Sequence, residues 1–542
     1  MSEDSRPNIL FVYCDQHRPD WLGCATEYPV DIPVRTPNLD RLAAGGVRFT
    51  NAVCPSPLCS PSRVSLAVGK EYHHNGGVLD NLQCHAFSNE TFYTRLRGAG
   101  YHTLQAGKLD LSKGLDIPFT LPSSKLKHGR LSMDELGFCD MLGVIGKWAE
   151  RYEHYAFPMD PYEEHLERCG LFYVNVSDML NRKHHRCPRF VTTPTELPDE
   201  HYKDNWVTRR AIGMLDAAPP DRPWFLQLNF DNPHDPSDIT GRMEADCRQR
   251  DIPGPHEPGD EFAADKHLAI RQNYTAQVEN NDRLIGVVLE ELDRRGELDN
   301  TLIVYTSDHG DMLGDAGAFG KCRWGWESSG VPLIVSGPGV AGGAVNTDPV
   351  TNLDLAATFL DYASARIPDD YDSISMRPVL QDPSARIRDH VVSGIVNGPA
   401  RAWRMVFDGR YKLVRDSSAG ADMLFDLTDD PFEETDIAGD RPETVSALAE
   451  LLPEYEPMTP EPYVIVRPDP LDSGAWFVHA GARSSVASPV YSVELYHNST
   501  KISEARTNLA VVKLPDLPPG VHNFKVVVPD EGLTAETEII II

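Results

Sequence analysis

Nowhere does the 542-residue chain hold the ~20 consecutive apolar residues that a bilayer-spanning helix needs, so no membrane partner is expected. Its opening residues, MSEDSRPNILFVYCDQ, place acids ahead of a short apolar run and offer no small-residue cleavage site. They lack the parts of an export signal, and the expected compartment is the cytoplasm. Ten cysteines occur without a CxxC pair or zinc-ribbon spacing, so neither a disulfide framework nor a zinc module is expected, and most are read as small buried residues. Basic residues are scarce: 51 Lys and Arg stand against 81 Asp and Glu, a formal charge of -30. That balance argues against a nucleic-acid partner. It also opposes any large polyanion by long-range repulsion, so an anionic substrate requires a local cationic pocket.

What is present is ordinary for a globular protein, with 41% hydrophobic and 24% charged residues in a chain long enough for several cores. PNILFVYCDQ, RPWFLQLNFDNPHDP and NTLIVYTSDHGD are apolar runs that end in polar residues, the pattern of buried parallel strands delivering side chains at their carboxyl ends. Between the last two runs, Val278, Leu284, Ile285, Val288, Leu289 and Leu292 recur at helical spacing, with a stop expected at the Arg-Gly pair. Alternating strands and helices imply an α/β fold with a doubly wound, mainly parallel sheet over residues 1–370. Residues 119–204, rich in His and charge, read as an insertion over that sheet. From 371 to 452 short strands joined by Asp-Gly and Ser-Ser-Ala-Gly turns predict a smaller antiparallel α+β subdomain. Residues 453–470 are proline-rich and acidic and read as a semi-rigid linker, and 471–542 alternate as a C-terminal β-sandwich.

The stretch CSPSR, residues 59–63, raises the chemical question. Ser60 and Pro61 read as N-cap and first residue of a helix. Cys59 then stands where backbone N–H groups favour an anion, and Arg63 lies about one turn on with a fork of donors for an oxyanion. A reactive thiol, a metal thiolate, a buried small residue and the precursor of another group all fit. On these residues alone the structural cysteine is the default, as a hydrogen-bonded turn is for Asp308-His309 and a solvated surface position is for each lysine.

Over roughly its first 450 residues the chain resembles the type I sulfatases of the alkaline phosphatase superfamily. The resemblance is carried by C-x-P-S-R followed by LAVGK, by Gly-Lys in QAGKLDL, by DNPHDP, and by YTSDHGD and FGKCRWGWES in that order. It implies an alkaline phosphatase-like fold and conversion of Cys59 to Cα-formylglycine by a formylglycine-generating enzyme. The hydrated aldehyde then supplies a hydroxyl that attacks sulfur, and its second hydroxyl releases the bound sulfate by elimination. The same resemblance gives Arg63, Lys108 and Lys321 as sulfate-binding cations and His234 as the acid that protonates the leaving oxygen. It gives Asp15, Gln16, Asp308 and His309, with residue 59, as holders of a divalent metal. Calcium is the ion it implies; Gln16 and His309 reduce the charge and add nitrogen, which leaves magnesium and manganese open.

One position departs from the pattern: relatives carry His two residues after the Gly-Lys lysine, where this chain has Asp110. Asp110 is read either as a substitute base or as a substrate contact, with His73 or His74 as the alternative base. The function implied is hydrolysis of a sulfate monoester, of a saccharide or another small organic sulfate. A phosphonate monoester or phosphodiester hydrolase on the same scaffold shares the Asp-Gln and Asp-His pairs. A non-catalytic glycan-binding protein is the reading from another class. A homo-oligomer is left open, the sandwich being one surface that would serve it.

Overall fold

A computed structural model of the chain describes residues 6–75, 90–111, 136–147, 160–183, 187, 189–396, 402–416, 419–453, 461–468, 476–483, 493–505, 509–514, 517–529 and 533–541. In chain order its first strands are β1 (Asn8–Asp15), β2 (Val47–Phe49), β3 (Ala52–Val53), β4 (His102–Gly107), β5 (Asp140–Gly143), β6 (Trp224–Pro233), β7 (Thr301–Ser307), β8 (Leu333–Ser336), β9 (Ala344–Asn346) and β10 (Val350–Thr351). Eight of them form one sheet in the order β5-β4-β6-β1-β7-β8-β2-β9. All its neighbours pair in parallel except those of β8. This is the doubly wound α/β sheet that the strand–helix alternation predicts.

β1 shows why both faces are covered. Ile9, Phe11 and Tyr13 enter one core and Leu10, Val12 and Cys14 the other, the two-residue period of a strand read out in burial. The first core also takes Val64, Leu66, Ala67 and Val68, so the Cys59–Val68 helix packs on that face with its N-terminus at the strand tips. The second core takes Leu284, Ile285, Val288, Leu289 and Leu292 of the Ala264–Arg294 helix. That helix ends where the Arg-Gly pair predicts, with Gly296 at φ +67°. Full burial of such side chains contributes roughly 1.5–3 kcal/mol each, which is what fixes the two helices to the sheet.

Two expectations shift. The region read as an insertion supplies the edge strand β5 and two helices, Pro161–Arg168 and Phe172–Lys183, whose Tyr162, Leu166, Phe172 and Val176 join the second core. Residues 119–135, 148–159, 184–186 and 188 of it lie outside the described residues. The helix at CSPSR begins at Cys59 itself, capped by Leu58 in an extended conformation (φ −152°, ψ 135°), not at Ser60-Pro61. Proline is tolerated there because the first-turn N–H groups need no intrahelical acceptor.

Strands β11 (Val391–Val396), β12 (Ala402–Phe407), β13 (Tyr411–Asp416) and β14 (Asp422–Asp426) form an antiparallel sheet in sequential order. At the β12–β13 turn Asp408 Oδ1 accepts from the backbone N–H groups of Arg410 (2.9 Å) and Tyr411 (2.7 Å), and Gly409 takes φ +101°. Val391, Ile395, Trp403 and Met405 of this sheet pack on Val53, Leu58 and Trp326, so the sheet buttresses the residue before Cys59.

The last strands are β15 (Glu461–Pro468), β16 (Trp476–Arg483), β17 (Val493–His497), β18 (Thr500–Ala505), β19 (Leu509–Leu514), β20 (Gly520–Val528) and β21 (Leu533–Ile541). They make a three-stranded sheet, β15-β16-β19, and a four-stranded one, β18-β17-β20-β21. Val478 of the first packs with Leu495, Phe524 and Val526 of the second, so the sheets face each other across a shared core. Residues 461–468, read in sequence as linker, form β15 instead, because the aromatic and β-branched run YVIV suits a strand more than its flanking prolines oppose one.

Candidate active site

Four neighbouring strands, β4, β6, β1 and β7, end on the same side of the sheet, and their tips carry Lys108, His234, Asp15 and Asp308-His309 in turn. The Cys59–Val68 helix points its N-terminus at them. Cys59 Sγ lies 2.7 Å from Lys321 Nζ, 3.5 Å from His309 Nε2, 3.6 Å from Lys108 Nζ and 3.8 Å from Asp15 Oδ1. Arg63, one turn along and only 1% exposed, donates from Nε to Asp308 Oδ2 (2.9 Å) and from Nη2 to Asp15 Oδ2 (3.3 Å). Its Nη1 donates to the Lys108 carbonyl (3.0 Å), and its guanidinium covers the Tyr13 ring. Lys108 Nζ also donates to Asp15 Oδ2 and stands 3.4 Å from Asp110 Oδ2.

The two histidines are oriented alike. His309 Nδ1 meets the Gly310 carbonyl at 2.9 Å and His234 Nδ1 meets the Asp235 carbonyl. A carbonyl only accepts, so in each the Nδ1 carries hydrogen and Nε2 is turned to the site. Lys321 Nζ lies 2.8 Å from His234 Nε2 and 3.2 Å from His309 Nε2. The loop that holds Lys321 is pinned by the antiparallel sheet: Trp403 Nε1 donates to the Cys322 carbonyl (3.1 Å) and Lys412 Nζ to that of Trp324 (2.8 Å).

Three cations, Arg63, Lys108 and Lys321, thus face two carboxylates, Asp15 and Asp308. Burial pushes the Asp15 carboxyl up, but Lys108, His234, Lys321 and Arg63 hold it well below the ordinary carboxylate range. Burial and Asp15 likewise push the Cys59 thiol up, and Lys108 and Lys321 more than reverse this, leaving it well below an ordinary thiol. With Asp110, 3.4 Å from Lys108, the carboxylates equal the cations in number, so the cationic pocket that the net charge of -30 demands comes from placement: Lys108 and Lys321 stand against Cys59 Sγ at 3.6 and 2.7 Å.

Donor atoms of Asp15, Cys59, Asp308 and His309 all lie within 4.8 Å of one another, and all four residues are buried. Asp15 Oδ1 stands 3.8 Å from both Cys59 Sγ and His309 Nε2, and Asp308 Oδ1 3.6 Å from His309 Nε2. Two donors holding one ion at about 2.0–2.6 Å are separated by such distances. Gln16 Oε1 is buried without a hydrogen-bond partner, while its Nε2 donates to Asp311 Oδ2 (2.6 Å) and Asp235 Oδ1 (3.2 Å). Buried carboxylates, an orphaned amide oxygen and an imidazole lone pair fit a divalent cation.

His73 and His74 are not brought to this cluster: His74 Nδ1 lies 3.0 Å from Asp372 Oδ2, and His73 Nε2 3.6 Å from Glu71 Oε2. Sequence reasoning misses a further buried layer. Arg189 donates to Ser237 Oγ (2.6 Å) and to Asp311, and lies 3.5 Å from Asp235, which fixes the two carboxylates that hold Gln16. Asp311 was readable within SDHGD, three residues after Asp308; Arg189 carries no signal in its own stretch.

Family comparison matches a sulfatase family over residues 7–365 and an N-sulphoglucosamine sulphohydrolase C-terminal family over residues 314–456. An arylsulfatase of Clostridium perfringens is 26% identical over 467 residues, covering 80% of this chain and 90% of that protein. The structure of BT4656 in complex with its substrate D-glucosamine-2-N,6-O-disulfate is similar at a TM-score of 0.63 and 22% identity, covering 82% of this chain and 96% of that one. A phosphonate monoester hydrolase of Agrobacterium radiobacter is similar at a TM-score of 0.66 and 20% identity, covering 82% and 94%.

Proposed function

The chain belongs to the sulfatase family and is a sulfuric ester hydrolase, and from that premise we propose that it cleaves a sulfate monoester of a saccharide or other small organic alcohol at residue 59. The observation that carries the reading is the ring of Lys108, Lys321, His309 and Asp15 around Cys59 Sγ at the N-terminus of a helix. In the active protein Cα-formylglycine replaces that thiol. As its hydrate the group supplies a hydroxyl nucleophile and a second hydroxyl through which sulfate departs. Asp15, Asp308, His309 and Gln16 would hold a divalent cation, which would supply charge stabilisation for a sulfate oxygen.

The remaining work falls to side chains of this protein. Lys108 and Lys321 flank residue 59 and stand where negative charge spreads over the sulfate oxygens, preorganised by Asp15 and by the Cys322–Trp324 clamp. Arg63 locks Asp15 and Asp308 in place, so their remaining oxygens face inward. His234 Nε2 is turned to the site beside Lys321 Nζ (2.8 Å) and, when protonated, gives its own proton to the leaving oxygen, while Lys321 keeps its charge. Asp110, 3.4 Å from Lys108 Nζ, is a second carboxylate beside Asp15 that orients that ammonium. Calcium, magnesium and manganese all suit the mixed oxygen and nitrogen donors.

The phosphonate monoester hydrolase fold supports a second reading for the same pocket. Parallel assays with an aryl sulfate, sulfated monosaccharides and an aryl phosphonate monoester separate the two. The proposal expects the highest kcat/KM on a sulfate ester, with mass spectrometry finding residue 59 as the aldehyde or its hydrate. A higher kcat/KM on the phosphonate monoester sinks it.

A further inference from the structure

Outside the catalytic pocket, one more set of thiol and imidazole donors converges among the described residues: His165, Cys169 and His201, with ligand atoms within 4.8 Å of one another. His165 and Cys169 are one helical turn apart at the end of the Pro161–Arg168 helix, so both project from one face. His201 arrives from the short 3₁₀ turn Asp199–His201, 36 residues later than His165. His165 Nε2 lies 3.0 Å from His201 Nδ1 and 4.0 Å from Cys169 Sγ. Donors sharing a tetrahedral zinc ion at ~2.0–2.1 Å for nitrogen and ~2.3 Å for sulfur stand roughly 3.3–3.6 Å apart, so small side-chain rotations close the site.

We propose that His165, Cys169 and His201 form a second metal site, for a borderline-soft divalent cation of the zinc type, with water as fourth ligand. Two imidazoles and a thiolate select zinc over the calcium or magnesium suited to an oxygen-rich centre. Neighbouring groups brace two of the ligands. The His165 ring stacks on Trp206 (centroids 5.3 Å apart, 28° between planes), and Tyr162, buried in the second core, donates its hydroxyl to the His201 carbonyl at 3.0 Å. Partial burial, then His201, Arg209, Arg168 and Arg210, keep the His165 imidazole below its ordinary range. On binding, the Cys169 thiol loses its proton to solvent and sulfur bonds to the ion; the His165–His201 hydrogen bond breaks, and both rings turn their lone pairs to the metal. The thiolate charge offsets the arginines.

The test uses full-length protein carrying Cys59→Ala, which removes the catalytic thiol, with excess Ca²⁺ added to fill the oxygen-rich centre. Titration with Co²⁺ is expected to produce a sulfur-to-cobalt absorption band that saturates at one equivalent. Zn²⁺, titrated against a chromophoric chelator, is expected to bind at least about tenfold more weakly once Cys169→Ser is added, and again with His201→Ala in its place. Circular dichroism and thermal melts check that each variant is folded; Cys169 is exposed, so its replacement leaves the core intact. Absence of the cobalt–sulfur band, or zinc affinity unchanged in both variants, overturns the proposal.

Discussion

The catalytic cluster and the His165–Cys169–His201 cluster share thiol and imidazole donors, yet the first adds carboxylates and their surroundings differ in kind. Cys59 sits in full burial between two lysines, with two carboxylates locked by an arginine. Cys169 is exposed, stands 4.0 Å from the His165 imidazole with His201 within 4.8 Å, and has no ammonium among its described contacts. Donor identity alone therefore does not make a reaction centre. Buried cations turn a donor cluster into a place where negative charge can develop, because their attraction is screened little there and their orientation is already set. The comparison can be broken by removing, one at a time, what only the first cluster has.

The largest effect is expected from the nucleophile. Cys59→Ala should lower kcat on the preferred sulfate ester by about 10⁴-fold or more, with an unchanged melting temperature and secondary structure. Alanine fills the first helical turn as well as cysteine does, so a large loss of stability would instead assign the thiol a structural role. His234→Gln comes next, at about 10²- to 10⁴-fold in kcat, and the loss should shrink for esters of acidic alcohols, whose oxygen leaves without a proton. An equal loss for good and poor leaving groups would place His234 in binding rather than in acid catalysis.

The two clusters also differ in how readily a sequence discloses them. Asp15, His234, Asp308 and His309 each end or follow an apolar strand, so the end of the run marks the residue and the parallel sheet does the rest, whereas Lys108 follows the mixed strand HTLQAG and is legible only through the Gly-Lys resemblance. Cys59 is legible for a different reason: proline and arginine follow it in a spacing with chemical meaning. The strand–helix alternation reads the main sheet for the same cause, since two-sided burial leaves continuous apolar runs. β15 was lost because prolines and acids flank its YVIV run and outweigh it in composition. The Leu58 cap was lost because serine and proline advertise a helix start that backbone geometry places two residues earlier. Asp235 and Asp311 lie inside DNPHDP and SDHGD, but Arg189, which holds them, comes from a stretch with no pattern, and His201 is 36 residues from His165. Pairings made only by tertiary packing leave no period to read.

Arg189→Met tests whether the buried layer behind Gln16 holds the catalytic cluster in shape. The arginine is 1% exposed and neutralises Asp311, whose other oxygen is held by the backbone N–H groups of Leu313 (2.8 Å) and Gly320 (3.0 Å). Methionine keeps the volume and removes the charge, so an uncompensated carboxylate is left in the interior. Loss of one partner of a buried pair costs about 3–5 kcal/mol, and denaturant melts should register that size of drop. Asp311→Asn combined with Arg189→Met should recover part of it, because the orphaned charge is then gone. A melt unchanged by the single substitution would show that solvent reaches this layer, against its burial.

The smallest effect is expected at the other thiol. Cys169→Ser, in protein with Cys59 intact, should change stability by less than about 0.5 kcal/mol without zinc, since the residue is exposed at a helix end. Its kcat and KM on the sulfate ester should match those of the parent, because among its described contacts none reaches a residue of the catalytic cluster. Against the roughly 10⁴-fold loss at Cys59, that near-silence is the sharpest form of the contrast: two cysteines beside histidines, separated in consequence by the lysines around one of them. If Cys169→Ser lowered kcat tenfold while leaving KM and the melt in place, the exposed cluster would be coupled to turnover, and buried charge would no longer account for the difference.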